Sequence, residues 1–143
     1  MNDLFTRGLT LFNREEFFEC HEVLEELWTP ERGPNRLFLQ AVIHMAVACY
    51  HCQRGNPRGA VGQFTKGLRK LEGYLPMCQG IDTRRLSKEA RAVLERVQAG
   101  SPAGEFPKIH ASGGSDEVDG DVVGRGPVCP GEQLPGGPGE RGL

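Results

Sequence analysis

The sequence predicts an all-α fold: a compact array or bundle of about five helices built from two helical hairpins. Apolar residues recur at helical spacing in five stretches, all of which end before about residue 99. Caps, prolines and glycines separate these stretches, as they do at helix ends. No stretch alternates apolar and polar residues as a half-buried strand would. Helix-on-helix packing is therefore the expected architecture.

The first predicted hairpin contains helices over residues 3–12 and from Asn13 to Trp28. Asn13 is expected to start the second helix through a capping box with Glu16, because each side chain can reach the other residue's backbone amide. Thr29-Pro30 ends that helix, since proline disfavours helical geometry in the residue before it.

The second predicted hairpin contains helices over residues 36–54 and from Asn56 to about Tyr74. Its first helix is apolar nearly all round, which is typical of a central helix. Gly55 is expected to end that helix in a left-handed conformation, and Asn56 to cap the next. Three glycines in the fourth helix each cost about 1 kcal/mol of helix propensity, which is tolerable if they let another helix come close. These are Gly59, Gly62 and Gly67. A last helix, capped by Asp82 or Ser87, ends at Gly100.

Composition divides the chain into a helical domain over residues 1–99 and a tail over residues 100–143. The tail contains 12 of the 20 glycines and 6 of the 10 prolines and has no apolar period, so it is expected to be disordered. The domain carries a net charge of +2 and the tail −4.

Neither charge pattern indicates a nucleic-acid partner, because the basic residues are spread out and no basic stripe is interleaved with aromatic residues. No apolar run reaches the length of a membrane span, and the first residues do not resemble a signal peptide. Five cysteines, an odd number, fit a reducing compartment. We therefore expect a cytoplasmic protein that binds neither nucleic acid nor membrane. Cys49 and Cys52 lie in a helical pattern without a second such pair and are expected to act as small hydrophobes.

The second helix carries a histidine where its apolar side is expected. His21 has apolar neighbours on both sides, Glu25 lies about 40° from it and Glu22 about 100°. The pattern predicts His21 in the middle of the buried face, with Glu25 entering the core. The apolar neighbours are Phe17, Phe18, Leu24 and Trp28.

The third helix carries a line of three polar side chains on an otherwise apolar surface: Gln40, His44 and His51, within about 40° of one another. Alanines beside this line would let a neighbouring helix approach. The second helix is the expected neighbour, because a short connection joins the two. His21, Glu22 and Glu25 are then expected to face Gln40, His44 and His51.

Three interpretations of this cluster remain open. The groups can satisfy one another as a buried network that holds the helices in register. His21 and Glu25, joined by His51 or His44, can instead bind a divalent metal, although no cofactor is predicted outright. The groups can also line a pocket and act as acid and base on a substrate, but no nucleophile elbow or phosphate loop indicates a particular reaction.

Five motifs follow one another along the predicted domain: Phe18-Glu19-x-His21-Glu22-x-x-Glu25-x-x-Trp28, Leu39-Gln40-x-x-Ile43, Ala46 to His51, Arg54-Gly55-Asn56-x-x-Gly59-Ala60 and Gly80-Ile81-Asp82. Together they resemble the small family called domain of unknown function 309. The resemblance covers roughly residues 5 to 86 and implies a compact all-helical fold in cytoplasmic bacterial and archaeal proteins, and no activity. His44 stands where the family's pattern has glutamine, which argues against an obligatory metal ligand at that position.

We therefore predict a non-enzymatic module that binds a protein or a small-molecule ligand, as a monomer or homodimer. The alternative is a metal-assisted or acid-base hydrolase that uses the His-Glu-x-x-Glu helix, with catalytic residues otherwise unknown.

Overall fold

The computed structural model describes residues 3–112, and its five α-helices confirm the predicted all-α fold. Each helix packs on the next in the chain, so α1 and α2 form one hairpin, α3 and α4 the second, and α5 covers α4. No helix in this part of the chain is long and apolar enough to cross a membrane. The helices are α1 (Asp3–Asn13), α2 (Phe17–Trp28), α3 (Arg36–Gln53), α4 (Pro57–Leu71) and α5 (Thr83–Gln98).

The central helix is α3, which contacts both α2 and α4 and buries side chains along its whole length.

Two of the three glycines of α4 allow that helix to pack close to α3. A Cβ atom at Gly67 would lie 3.0 Å from the His44 Cβ, and one at Gly59 would lie 2.9 Å from the His51 ring. Gly62 has open space around it. Close approach therefore accounts for Gly59 and Gly67, as predicted, and not for Gly62.

Local signals at the later helix ends act as predicted. Gly55 has a φ of +72°, and the Asn56 side chain accepts a hydrogen bond from the Gly59 amide at 3.1 Å. Asp82, rather than Ser87, caps α5 by accepting from the Arg85 amide at 2.9 Å. After α4 the chain makes a 3₁₀ turn over Glu72–Tyr74.

The capping box predicted at Asn13 is absent. Asn13 is the last residue of α1, and α2 begins after Glu16, whose side chain makes no capping hydrogen bond. The Asn13 amide instead binds Ile109, donating to its carbonyl at 2.8 Å and accepting from its N–H at 2.7 Å. A partner 96 residues away in the chain thus replaces the local one.

Two very short strands, which the sequence pattern did not predict, lie between α4 and α5. β1 (Met77–Cys78) pairs antiparallel with β2 (Ile81–Asp82). Gln79 and Gly80 form the turn with φ values of 51° and 77°, the positive values that two-residue hairpins favour. Ile81 also bridges to Ala111.

The chain stays packed on the helices beyond residue 99, where the tail was predicted to start. Arg96 donates to the carbonyls of Ala103 at 2.6 Å and Glu105 at 3.1 Å, Ile109 is buried, and the Phe106 ring meets the Phe17 ring edge-on at 5.3 Å. Residues 101–112 therefore contribute to the core. The rest of the predicted tail, residues 113–143, lies outside the described residues.

Candidate functional site

The polar groups of α2 pair within their own helix. His21 Nε2 lies 3.3 Å from a Glu25 carboxylate oxygen, and His21 Nδ1 lies 3.1 Å from the Phe18 carbonyl. His21 is half-buried, whereas Glu22 and Glu25 are exposed. The buried face of α2 is centred on Cys20 and Leu24 instead. The predictions that His21 occupies the middle of this face and that Glu25 enters the core are therefore wrong.

The polar groups of α3 face α4. His44 Nδ1 is 2.7 Å from the Gln63 amide oxygen, and His51 Nδ1 is 3.2 Å from the Asn56 amide nitrogen. No hydrogen bond or ion pair within residues 3–112 joins His44, His51 or Gln40 to the polar groups of α2. The cross-helix network predicted between α2 and α3 is not formed, because the glycine-lined approach of α4 takes that side of α3.

His44 is half-buried where α3 meets α4. Its pKa is lowered, chiefly because burial disfavours the charged imidazolium, while the hydrogen bond to Gln63 opposes the shift and Lys70 and Lys66 add to it. The bond to Gln63 requires the proton on Nδ1 when the ring is neutral, which leaves Nε2 as an acceptor. Nε2 is buried without a partner in the described part of the chain, as is the Gln40 amide oxygen.

Four rings form a continuous row that crosses from α2 to α3; we call His21, Phe18, Tyr50 and His51 the aromatic row. The Phe18 ring lies 5.4 Å from the His21 ring and 5.5 Å from the Tyr50 ring, and Tyr50 lies 6.4 Å from His51. The Arg54 guanidinium lies 5.5 Å from the Tyr50 ring centre. The row therefore connects the two separated halves of the predicted cluster through ring contacts rather than hydrogen bonds.

Phe18 is the residue that sequence reasoning misjudged. It was expected on the buried face, yet it is 44% exposed, while the preceding Phe17 is almost fully buried against Phe12. Two adjacent phenylalanines on a helix point about 100° apart, so Phe17 facing the core turns Phe18 toward the edge of the buried face. An exposed phenylalanine such as Phe18 is a candidate for a surface contact. In the sequence, the adjacent pair Phe17-Phe18 is the only indication of it.

Acidic side chains surround the α2 end of the row. Glu22 and Glu25 follow Phe18 by four and seven residues, so they lie within about 40° of it on the helix surface. Residues 3–31 carry eight acidic and two basic side chains, whereas residues 32–112 carry five acidic and thirteen basic ones. Glu22 and Glu25 therefore place negative charge beside Phe18, and Arg54 supplies a positive charge at the other end of the row.

Metal binding has no preformed site here: within residues 3–112 no three His, Cys, Asp or Glu side chains are grouped to hold an ion. Of the candidate ligands, His21 and Glu25 are adjacent, and His51 is held by Asn56. The free cysteines within residues 3–112 are poor ligands. Burial raises the pKa of Cys20 to about 12, that of Cys49 well above its ordinary value, and that of Cys52 to a lesser extent. Their thiolate forms are accordingly disfavoured.

Comparisons with known proteins find similarity over parts of this chain. The model of the family described as Domain of unknown function (DUF309) matches residues 5–63, which include the whole aromatic row. The uncharacterized protein YpuF of Bacillus subtilis (strain 168) is 33% identical over 86 residues, which are 58% of this chain and 49% of that protein. An uncharacterized protein of Aquifex aeolicus (strain VF5) is 24% identical over 116 residues, 80% of this chain and 34% of that protein.

The chain thus spans about half the length of the first relative and about a third of the second. The family match is shorter than residues 5 to 86, over which the motifs suggested it. The family predicted from the motifs is confirmed: over residues 5–63 this chain matches domain of unknown function family 309.

Proposed function

We propose that this protein is a non-enzymatic binding module and that the aromatic row is its contact surface. The observation that carries the proposal is the exposure of Phe18, 44% of whose surface is accessible although its ring contacts the rings of His21 and Tyr50 at tilted angles. Exposed aromatic rings contribute a large contact area on binding, which is why aromatic residues dominate interface energetics.

The chemistry around the row favours a cationic partner. The Phe18 ring attracts cations through its quadrupole, as the Tyr50 ring already does with the Arg54 guanidinium at 5.5 Å. The carboxylates of Glu22 and Glu25 lie on the same side of α2 as Phe18 and add Coulomb attraction. We therefore assign the row to a lysine- or arginine-containing segment of another protein.

The experiment that tests this compares two variants in which an exposed hydrophobic side chain is removed. Phe18→Ala truncates the row, and Met77→Ala truncates the other large exposed hydrophobic side chain within residues 3–112, at 40% exposure in the β1–β2 hairpin. Binding of a fluorescent oligoarginine peptide is measured by anisotropy. Loss of a central aromatic contact costs about 2 kcal/mol, so we expect Phe18→Ala to weaken binding about 30-fold and Met77→Ala to leave it unchanged. Equal affinity of both variants and the wild type contradicts the proposal.

A hydrolase is the second candidate, and the His21–Glu25 pair is the observation that favours it. The imidazole and carboxylate are 3.3 Å apart, and the Glu25 side chain is 48% exposed, so solvent can reach a histidine–carboxylate pair suited to proton transfer. A panel of ester, phosphate and peptide substrates tests it. Hydrolysis that His21→Gln and Glu25→Gln both abolish would show that the protein is an enzyme and not a binding module.

Other expectations stay predictions. These are the cytoplasmic location, the lack of nucleic-acid and membrane partners, and the choice between monomer and homodimer.

A further inference from the structure

The first half of α5 presents an exposed basic stripe on the side of the molecule that bears the β1–β2 hairpin. Arg84, Lys88 and Arg91 are spaced four and three residues apart, so they lie on one face of the helix. All three are exposed. They line a groove of about 490 Å³ together with Leu75, and Glu95 lies at its far end.

These three charges have no counter-charge in the described structure. Arg85, which points to another side of α5, pairs with Glu89 at 3.0 Å, but no carboxylate within residues 3–112 lies within 4.0 Å of the charged groups of Arg84, Lys88 or Arg91. Three like charges on successive turns of one helix face repel one another, which disfavours the helix. An anionic occupant would remove that repulsion.

The described chain ends at the β1–β2 hairpin, near the first turn of α5. Ala111 bridges to Ile81, and the Ser112 amide donates to the Gly80 carbonyl at 2.9 Å. Gly80 and Ile81 immediately precede Asp82, the cap of α5, so the chain leaves the fold close to the first turn of α5, where Arg84 lies.

The residues that follow have the matching charge. Residues 115–121 read Ser-Asp-Glu-Val-Asp-Gly-Asp and carry four carboxylates and no basic side chain. From Arg84 to Arg91 the helix rises about 10 Å, and seven extended residues span up to about 24 Å, so the segment is long enough to follow the stripe.

We propose that residues 115–121 dock on the basic stripe of the same chain, with their carboxylates against Arg84, Lys88 and Arg91. The stripe is thereby occupied within the molecule, and an external acidic polypeptide reaches it only by displacing the chain's own segment. This surface belongs to α5 and lies outside the family-matched residues 5–63, so the inference is independent of the aromatic row.

The test uses the full chain and nitrogen-15 NMR at low ionic strength. In one variant the four carboxylates are neutralised together by D116N, E117Q, D119N and D121N. We expect this variant to shift the α5 amide signals from Arg84 to Ala92 and the side-chain Nε signals of Arg84 and Arg91. The matched control, Glu132→Gln with Glu140→Gln, removes two other carboxylates of the tail and is expected to leave those signals in place. About 0.5 M NaCl should move the wild-type signals toward those of the neutralised variant, because salt screens exposed charges.

The reciprocal variant replaces Arg84, Lys88 and Arg91 by glutamine, and its control replaces Arg58 and Arg69 of α4. Only the variant that replaces Arg84, Lys88 and Arg91 should shift the amide signals of residues 115–121. All replaced side chains on the helices are exposed, so a thermal melt verifies that each variant folds. Unchanged α5 signals on neutralisation, or shifts that depend on protein concentration and so report contacts between copies, would overturn the proposal.

Discussion

Replacing two glycines of α4 by alanine should change stability by different amounts, because only one of them touches α3. Gly62 is exposed and has nothing within 4 Å of where a Cβ would stand. Gly67 is buried, and its Cβ would lie 3.0 Å from the His44 Cβ, 3.2 Å from the Ala41 carbonyl oxygen and 3.3 Å from Met45. The substitution is identical, and both positions are in the interior of the same helix.

The magnitudes follow from two effects. Alanine is better than glycine in a helix interior by about 1 kcal/mol, so Gly62→Ala should stabilise the protein by about that much. Gly67→Ala gains the same propensity and loses about 1 to 3 kcal/mol through overpacking, since a backbone carbonyl cannot move aside as a flexible side chain can. The difference in unfolding free energy between the two variants should therefore be about 1 to 3 kcal/mol, with Gly67→Ala the less stable.

Urea unfolding followed by circular dichroism measures this difference, and thermal melts should show Gly67→Ala melting at least about 4 °C below Gly62→Ala in a domain of this size. Both substitutions gain the same helix propensity, so the difference in unfolding free energy between the two variants reports the cost of overpacking alone. Equal stabilisation by both substitutions would refute the close contact between α3 and α4 and, with it, the reason why the polar line of α3 faces α4.

Three further predictions concern other contacts. Asn13→Ala removes both hydrogen bonds to Ile109 and should lower the unfolding free energy by about 1 to 3 kcal/mol. It should also speed hydrogen exchange of the Ile109 amide. An unchanged exchange rate would contradict the role of Asn13 in holding residues 101–112. The pKa of His44 is lowered in the folded protein, so the unfolded chain binds a proton there more readily. The contribution of neutral His44 to the unfolding free energy is therefore fully present above the ordinary pKa of 6.5 and is lost as the pH falls through the folded pKa. His44→Gln should reduce that loss in urea unfolding measured from about pH 8 to pH 5, a range that brackets the ordinary histidine pKa, and parallel pH profiles of the two proteins would count against it. Cys20, with its pKa raised to about 12, should resist iodoacetamide at mildly alkaline pH in the native protein and react after unfolding. Mass spectrometry of the labelled peptide measures the reaction, and labelling of the native protein at the rate of the unfolded protein would disprove the burial of Cys20.

The sequence by itself determined the helices and most of their ends, because these depend on neighbours a few residues away. Gly55, Asn56 and Asp82 act where they were expected, since a cap or a left-handed terminator needs only its own turn. The family followed from the same local motifs. Asn13 had a local partner available in Glu16 and used a distant one, which no pattern within a few residues can reveal.

Only the tertiary structure decided where the polar side chains point. Helical periodicity correctly placed Gln40, His44 and His51 on one face of α3, but α3 is apolar nearly all round, so either neighbouring helix could have faced that line. The glycines at 59 and 67 admit α4 there, and His44 and His51 consequently bond to Gln63 and Asn56. The apolar pattern of α2 predicted His21 at the centre of the buried face, which is wrong by one residue, about 100° of rotation. Packing of Phe17 and Cys20 into the core turned Phe18, Glu22 and Glu25 outward.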